Sequence, residues 1–99
     1  MPKLHVEWRL SEGKVPTDSK ERGAGWGLLM AMVEQNIESG IVKDWGAFPS
    51  EGRGYFIAEA TIVEIMKMTA MYNPYVTFQV KLVASVEELD EMTKHLSGE

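Results

Sequence analysis

The stretch IVKDWGAFPSEGRGYFIAEA, residues 41–60, decides the fold of this 99-residue chain. Two strand-like segments, IVKDWGAF and RGYFIAEA, flank the turn-forming tetrapeptide PSEG, so this stretch is predicted to be a β-hairpin. A helical pattern lies on each side of the hairpin, and a further strand pattern lies beyond each helix. The hairpin therefore joins two halves of one sheet-and-helix arrangement.

The outer strand patterns are residues 3–10, KLHVEWRL, and residues 75–83, YVTFQVKLV. Both alternate between apolar and polar side chains, which is typical of strands that bury one face. The apolar sets are Leu4, Val6, Trp8 and Leu10 in the first strand and Val76, Phe78, Val80 and Leu82 in the last. We expect these two sets to face the helices.

Three helices are predicted from their capping signals. A short polar residue followed three positions later by Glu occurs at Asp18, Thr61 and Ser85, and this spacing matches the reciprocal capping box. The helices are expected at about residues 18–39, 61–72 and 86–96. Their apolar stripes are Trp26, Leu29, Met30, Val33 and Ile37; Ile62, Ile65 and Met66; and Val86, Leu89, Met92 and Leu96.

The element order is therefore β-α-β-β-α-β-α, which predicts one α+β domain over residues 1–99. This order is that of the split βαβ, or ferredoxin-like, fold. Right-handed crossovers then place the first two helices on one face of a four-stranded antiparallel sheet, with strand order 4-1-3-2. The third helix is an addition at the C-terminus.

Three glycines in ERGAGWGLLM, residues 21–30, raise the question of a phosphate-binding loop. Gly23, Gly25 and Gly27 do not have the G-x-G-x-x-G spacing, and they do not directly follow a strand, so a dinucleotide site is disfavoured. We interpret them as positions where the first helix approaches the sheet or another chain closely. An alternative is that the helix begins only near Ala24.

Composition excludes several classes of function. The formal charge is −5 and the ten Lys and Arg residues form no run, which argues against a nucleic-acid partner. The absence of cysteine excludes disulfides, thiol catalysis and Cys-ligated metal centres. No segment has the length of a membrane span or the pattern of a secretory leader, so we expect a cytoplasmic protein without a membrane partner.

The face of the sheet opposite the helices carries a mixture of polar and apolar side chains. These are His5, Glu7, Tyr55, Ile57, Glu59, Thr77 and Gln79, with Tyr75 and Val83 adding apolar surface. A second copy of the chain stacked on this face would cover it, so we expect a homodimer or a higher oligomer with a cavity between the sheets. The alternative is a solvated face in a monomer.

His5, Glu7 and Glu59 are the candidate catalytic residues. An imidazole beside a carboxylate is suited to moving protons near neutral pH. One imidazole with two carboxylates is an unspecific ligand set, so neither a metal nor another cofactor is expected. In the alternative, Glu7 simply forms an ion pair with Lys81 or Arg9.

The candidate ligand-binding residues are Trp45, Tyr55, Thr77 and Gln79. Trp45 and Tyr55 flank the predicted hairpin, where their rings would form the walls of a pocket for a planar molecule. In the alternative, the two aromatic residues are core or interface anchors.

Three stretches carry a resemblance to a known superfamily. ESGIVKDWGAF (residues 38–48), GRGYFIAEA (52–60) and NPYVTFQVKLVASVEEL (73–89) resemble the dimeric α+β barrel proteins. That superfamily includes muconolactone isomerases, YCII-related proteins, antibiotic-biosynthesis monooxygenases and small prokaryotic stand-alone domains of uncharacterised function. The resemblance implies two sheets packed face to face and small organic ligands, and it assigns no catalytic residue.

Two functions follow as expectations. One is cofactor-free acid/base chemistry of the isomerase type on a carbonyl or lactone-like molecule, by His5, Glu7 or Glu59. The other is a non-catalytic ligand-binding or structural dimerisation module. A cavity with an unpaired titratable group would favour the enzyme, whereas a filled and fully paired interface would favour the module.

Overall fold

The computed structural model describes residues 2–13 and 16–98. The elements along the chain are β1 (Lys3–Leu10), α1 (Ser19–Glu38), β2 (Val42–Phe48), β3 (Arg53–Glu59), α2 (Ile62–Ala70), β4 (Val76–Val83) and α3 (Val86–Leu96). This order confirms the predicted β-α-β-β-α-β-α arrangement, with the hairpin β2–β3 between the first two helices.

The four strands form one antiparallel sheet in the order β2-β3-β1-β4. This is the predicted order read from the opposite edge. A register irregularity between Val42 and Asp44 interrupts β2. Because of it, Val42 and Trp45 both lie on the helix side of the sheet, although they are three positions apart and a regular strand would place them on opposite faces.

The core lies between one face of the sheet and the helices α1 and α2. Its strand residues include Leu4, Val6 and Trp8, as the alternation predicts. The remaining buried apolar residues are Val33, Val42, Phe56, Ala58, Ala60, Ile65, Met68, Tyr72 and Val76. Tyr72 also donates a hydrogen bond from its hydroxyl to Oδ1 of Asn36 at 2.7 Å, which ties the end of α2 to α1.

The three predicted caps form at the helix starts. Thr61 and Ser85 make complete capping boxes with Glu64 and Glu88, whereas Asp18 only accepts a hydrogen bond from the backbone N–H of Glu21. The helix starts are thus fixed locally by side chains that satisfy free N–H groups.

The predicted packing stripes of α1 and α2 are partly wrong. Ile37 on α1 is exposed, as are Ile62 and Met66 on α2. Met68 and Tyr72 take the core positions instead, beside the correctly predicted Ile65. Helix α2 is apolar on most sides, so periodicity alone does not select the face that packs.

Helix α1 begins at Ser19, so the alternative start near Ala24 is wrong. A Cβ added at Gly23, Gly25 or Gly27 would meet nothing within 4 Å. The expected close approach of these glycines to the sheet is therefore wrong, and their approach to another chain stays a prediction.

Helix α3 stands away from the core, and all residues from Val86 to Gly98 are exposed. Its apolar stripe, Val86, Leu89, Met92 and Leu96, is 49–74% exposed. The nearby helix-side residue Leu82 of β4 is also exposed. The radius of gyration is 16.7 Å, compared with about 13 Å for a compact 100-residue domain, which fits a helix that projects from the body.

Among the described residues, no helix is both long enough and apolar enough to cross a membrane.

Candidate functional site

The candidate site lies on the open face, which we define as the face of the sheet opposite α1 and α2. His5 and Glu7 reach it from β1, Tyr55 and Ile57 from β3, and Gln79 from β4. The first four are half-buried and Gln79 is exposed. The strand alternation predicts this placement, because the apolar residues that alternate with these along each strand face the helices.

His5 and Glu59 are not direct cross-strand partners. His5 lies opposite Ile57, whereas Glu59 lies opposite Lys3 at the end of the strand pair. His5 and Glu59 are therefore diagonal neighbours, for which the typical separation is about 7–8 Å. No group of three His, Cys, Asp or Glu side chains within residues 2–13 and 16–98 is arranged to hold a metal ion.

Glu7 occupies the centre of the open face. Its cross-strand partners are Tyr55 on one side and Gln79 on the other, and all three lie on the face predicted for them. No ion pair within 4.0 Å joins Glu7 to Arg9 or Lys81. The Glu7 carboxylate thus faces the open side of the sheet between an aromatic ring and an amide.

Tyr55 is held by contacts at both ends of its ring. Its hydroxyl donates a hydrogen bond to Oδ2 of Asp44 at 3.1 Å, and this bond, with the negative charge of Asp44, raises the pKa of Tyr55. The ring stacks on His5 with a centroid distance of 6.2 Å, and on Phe48 at the same distance. Gly46 lies beneath the ring and leaves room for it.

Trp45 lies on the other side of the sheet from Tyr55. Its ring stacks on Trp8 with a centroid distance of 5.4 Å and an angle of 7° between the ring planes, and it packs against the core. The two aromatic residues that flank the hairpin therefore do not line one pocket. Trp45 packs against the core, which is the alternative interpretation given above for this residue.

A concavity with a volume of about 410 Å³ opens at one end of the open face. It is lined by Glu7, Trp8, Arg9, Phe48, Arg53, Gly54, Thr77, Phe78 and Gln79. It brings together Glu7, Thr77 and Gln79 from the predicted set, while His5 and Glu59 lie outside its lining. Its volume is within the range of about 300–1,000 Å³ that small-molecule sites occupy.

Six of the nine lining residues were not in the predicted set, among them Arg9, Arg53 and Phe48. A signal was present for Arg9, which follows Glu7 by two positions and so shares its face of β1. Arg53 and Phe48 close the hairpin turn and face each other across it. Their position beside Arg9 depends on the pairing of β1 with β3, which joins distant parts of the chain.

Two further cavities lie on the helix side. One is an apolar space of about 30 Å³ inside the core, between α1 and the sheet. The other is a groove of about 230 Å³ along α1, lined by Leu10, Pro16, Arg22, Gly25, Trp26, Leu28, Leu29 and Tyr75. Tyr75 precedes β4 and lies beside α1, so its predicted position on the open face is wrong.

Comparisons with models of known protein families and with curated proteins gave no match. The resemblance to the dimeric α+β barrel proteins stays a prediction, based on the three stretches that carry it.

Proposed function

We propose that this chain is a ferredoxin-like domain of the dimeric α+β barrel type, which pairs with a second copy through the open face and binds a small organic molecule there. The chemistry proposed for this site is cofactor-free proton transfer of the isomerase type. The observation that carries the proposal is the composition of the open face, where His5, Glu7 and Gln79 lie beside the apolar side chains of Tyr55 and Ile57.

Dimerisation is supported by the apolar side chains that are partly exposed on the open face. Ile57, Val83 and the ring of Tyr55 are only half-buried, and Phe48 is 38% exposed. Apolar side chains that share one face with polar groups are typical of a surface that a partner covers. A second copy stacked by a two-fold axis would supply the same residues to the opposite wall of the cavity.

Proton transfer is supported by the position of His5 and Glu7 at alternate residues of β1. Side chains at alternate positions of a strand point to the same face, so a ligand that extends from the concavity along β1 would contact both groups. In an isomerisation, one group removes a proton from the carbon beside a carbonyl and the other returns a proton to a different carbon of that molecule. The proton count is unchanged, and no external reductant or oxidant is required.

A second candidate function is binding without catalysis. No polar or charged side chain of the described residues is buried, and His5, Glu7 and Glu59 make no hydrogen bond to one another. Catalytic groups are commonly desolvated or held by such bonds, so their absence between these residues favours a binding module.

The dimer is tested by native mass spectrometry of Ile57→Lys and of the matched variant Ile62→Lys. Ile57 lies on the open face, while Ile62 is exposed on α2 on the helix side. We expect the wild type and Ile62→Lys to be dimers and Ile57→Lys to be a monomer, because a lysine at the centre of the interface is desolvated without a partner. A monomeric wild type, or a dimeric Ile57→Lys, contradicts the proposed pairing.

The chemistry is tested by deuterium exchange. Small ketones, keto acids and lactones are incubated with the protein in D₂O, and proton loss beside the carbonyl is followed by NMR. We expect the wild type to accelerate exchange for some of these molecules, and His5→Ala and Glu7→Gln to lose that acceleration while Lys81→Ala keeps it. Binding of these molecules without exchange would instead assign the non-catalytic function.

A further inference from the structure

Two arginines face each other on the open face. Arg9 of β1 and Arg53 of β3 are direct cross-strand partners. Two like charges in this arrangement repel each other and destabilise the strand pair. Such a pair is favourable when an anion lies between the two guanidinium groups.

Arg53 has an ion-pair partner that a ligand carboxylate would replace, whereas Arg9 has none in the part of the chain that the structure describes. Arg53 contacts Glu51 at 3.1 Å, but both side chains of this ion pair are about half exposed, at 45% and 52%. Exposed ion pairs of this kind contribute little to stability and rearrange easily. Arg9 has no carboxylate within 4.0 Å among the described residues.

The surroundings of the pair indicate what kind of anion fits. Phe48 forms an apolar wall, with the Arg53 guanidinium 5.7 Å from the centre of its ring, and the Tyr55 ring continues this wall. Thr77 and Gln79 add a hydroxyl and an amide on the opposite side of the concavity. A flat apolar body with one anionic group matches this arrangement of ring, donors and cations.

Glu7 limits the charge of that anion. Its carboxylate lines the same concavity as the two arginines, so an anion with two negative charges meets repulsion that a monoanion partly avoids. Arginine also binds carboxylates through two parallel hydrogen bonds, which fixes their orientation.

From these contacts we propose that Arg9 and Arg53 bind the carboxylate of a small aromatic monocarboxylate, whose ring lies against Phe48. This inference deepens the proposed function, because it rests on a small organic ligand at the open face and names its chemical class. Arg9 and Arg53 are then the residues that select the ligand and fix its orientation beside Glu7.

Benzoate is the probe, with benzamide as its uncharged analogue of the same shape and inorganic phosphate as an anion without a ring. Binding is followed by titration calorimetry of the full chain and by amide chemical shifts of β1, β3 and β4. We expect benzoate to bind, and benzamide and phosphate to bind at least about tenfold more weakly, since a charge-assisted pair of hydrogen bonds is lost or the ring contact is missing.

The variants Arg9→Gln and Arg53→Gln are expected to weaken benzoate binding by about tenfold or more. Lys81→Gln is the matched control, because it removes a cation from the same face outside the concavity. Arg9→Gln removes no ion pair of the described residues, so an unfolded Arg53→Gln leaves the test intact. No benzoate binding, equal binding of benzamide or phosphate, or full binding by Arg9→Gln overturns the inference.

Failure of the inference is distinguishable from failure of the proposed function. If the protein is a dimer and binds lactones or ketones but does not distinguish benzoate from benzamide, the carboxylate assignment is wrong and the proposed function stands. If the protein is a monomer and its benzoate binding requires Arg9, the carboxylate assignment stands and the proposed dimer is wrong.

Discussion

The ring of Tyr55 covers Gly46, where an added Cβ would come within 2.7 Å of Cε1 of the tyrosine. Asp44, two residues earlier on β2, accepts the hydrogen bond of the Tyr55 hydroxyl at 3.1 Å. The neighbouring strand thus holds the tyrosine from beneath and at its end. This positions the ring that joins His5 to Phe48 along the open face.

Replacing Asp44 with Asn is expected to lower the pKa of Tyr55 towards its ordinary value of about 10. The wild-type pKa is raised first by the hydrogen bond to Asp44 and then by the carboxylate charge. Absorbance titration of tyrosinate measures this change, in a background of Tyr72→Phe and Tyr75→Phe so that only Tyr55 is observed. Asp90→Asn on the exposed helix α3 serves as the control and should leave the pKa unchanged.

The raised pKa of Tyr55 also predicts how the stability of the fold changes at high pH. Because the pKa of Tyr55 is higher in the folded than in the unfolded chain, the protonated tyrosine contributes to the free energy of unfolding below about pH 10. This contribution is lost as the pH rises through the folded pKa. Urea unfolding across this range should show a smaller loss of stability in Asp44→Asn than in the wild type, and an equal loss would contradict the assigned cause.

Gly54→Ala is expected to destabilise the fold by about 1–3 kcal/mol or more, as overpacked core substitutions do. A Cβ at Gly54 would clash with the carbonyl oxygen of Gly46 and come 2.6 Å from the Trp8 ring. Trp8 also donates a hydrogen bond to that carbonyl at 3.2 Å, so the clash disturbs both. The free energy of unfolding in urea measures the effect.

Gly23→Ala is the matched control for Gly54→Ala. It places a Cβ in open space on α1, and there alanine favours the helix over glycine by about 1 kcal/mol. We expect equal or greater stability. A loss of stability in Gly23→Ala would show that this part of α1 contacts something beyond its own chain.

Ser85→Ala is expected to unwind the first turn of α3, at a cost of about 1 kcal/mol in helix stability. The Ser85 hydroxyl accepts a hydrogen bond from the N–H of Glu88, and the Glu88 carboxylate accepts one from the N–H of Ser85 at 2.9 Å. Hydrogen exchange of the α3 amides reports the loss. Thr93→Ala, which removes a hydroxyl within the same helix, should leave the first turn protected.

Acid should have the same effect on α3 as loss of its cap. Hydrogen bonds from Ser85 hold the pKa of Glu88 below its ordinary value. The stabilisation is therefore complete above the unfolded pKa of about 4.3, and it is lost as the pH falls through the folded pKa. Glu88→Gln should make the protection of α3 insensitive to pH in this range; retained pH dependence would implicate another group.

Ending the chain after Ser85 is expected to change the stability of the remaining domain by no more than about 0.5 kcal/mol, as for surface changes. The reason is that α3 buries none of its residues. Ile65→Ala, which empties a core position only 2% exposed, should by contrast cost about 2–5 kcal/mol. A comparable loss on removing α3 would mean that its apolar stripe is covered, either by its own chain or by a second copy.

Alternation of apolar and polar residues predicted the outer strands, and the element order with right-handed crossovers predicted the strand order of the sheet. In β1, burial of Leu4 and Val6 fixes which residues face away from the helices, because a slip of one position would expose them. This is why the placement of Glu7 and Gln79 on the open face was predictable. The helix starts were predictable for a related reason, since capping depends on residues close in sequence.

The packing of α2 and of Trp45 was not predictable in the same way. Helix α2 has apolar residues around most of its circumference, and only the tertiary contacts select Met68 over Met66. Trp45 faces the core because the irregularity after Val42 shifts the register of β2. A pattern with a strict period of two does not contain that shift.

The arginine pair was missed because it depends on contacts between distant segments. Arg9 and Arg53 are 44 positions apart in sequence and meet only through the register of β1 with β3. Phe48 joins them because the hairpin turn brings it opposite Arg53. Each of these three residues taken alone is an ordinary strand-end residue.

All three tryptophans of the chain gather at one place in the core, where the Trp8 ring stacks on Trp45 and meets the edge of Trp26. Helix α3 contains no tryptophan and lies apart from them. Intrinsic fluorescence therefore monitors the sheet and α1, while circular dichroism also monitors α3. If the two signals change at different temperatures, fraying of the C-terminal helix explains the difference, and no partly folded state of the core is implied.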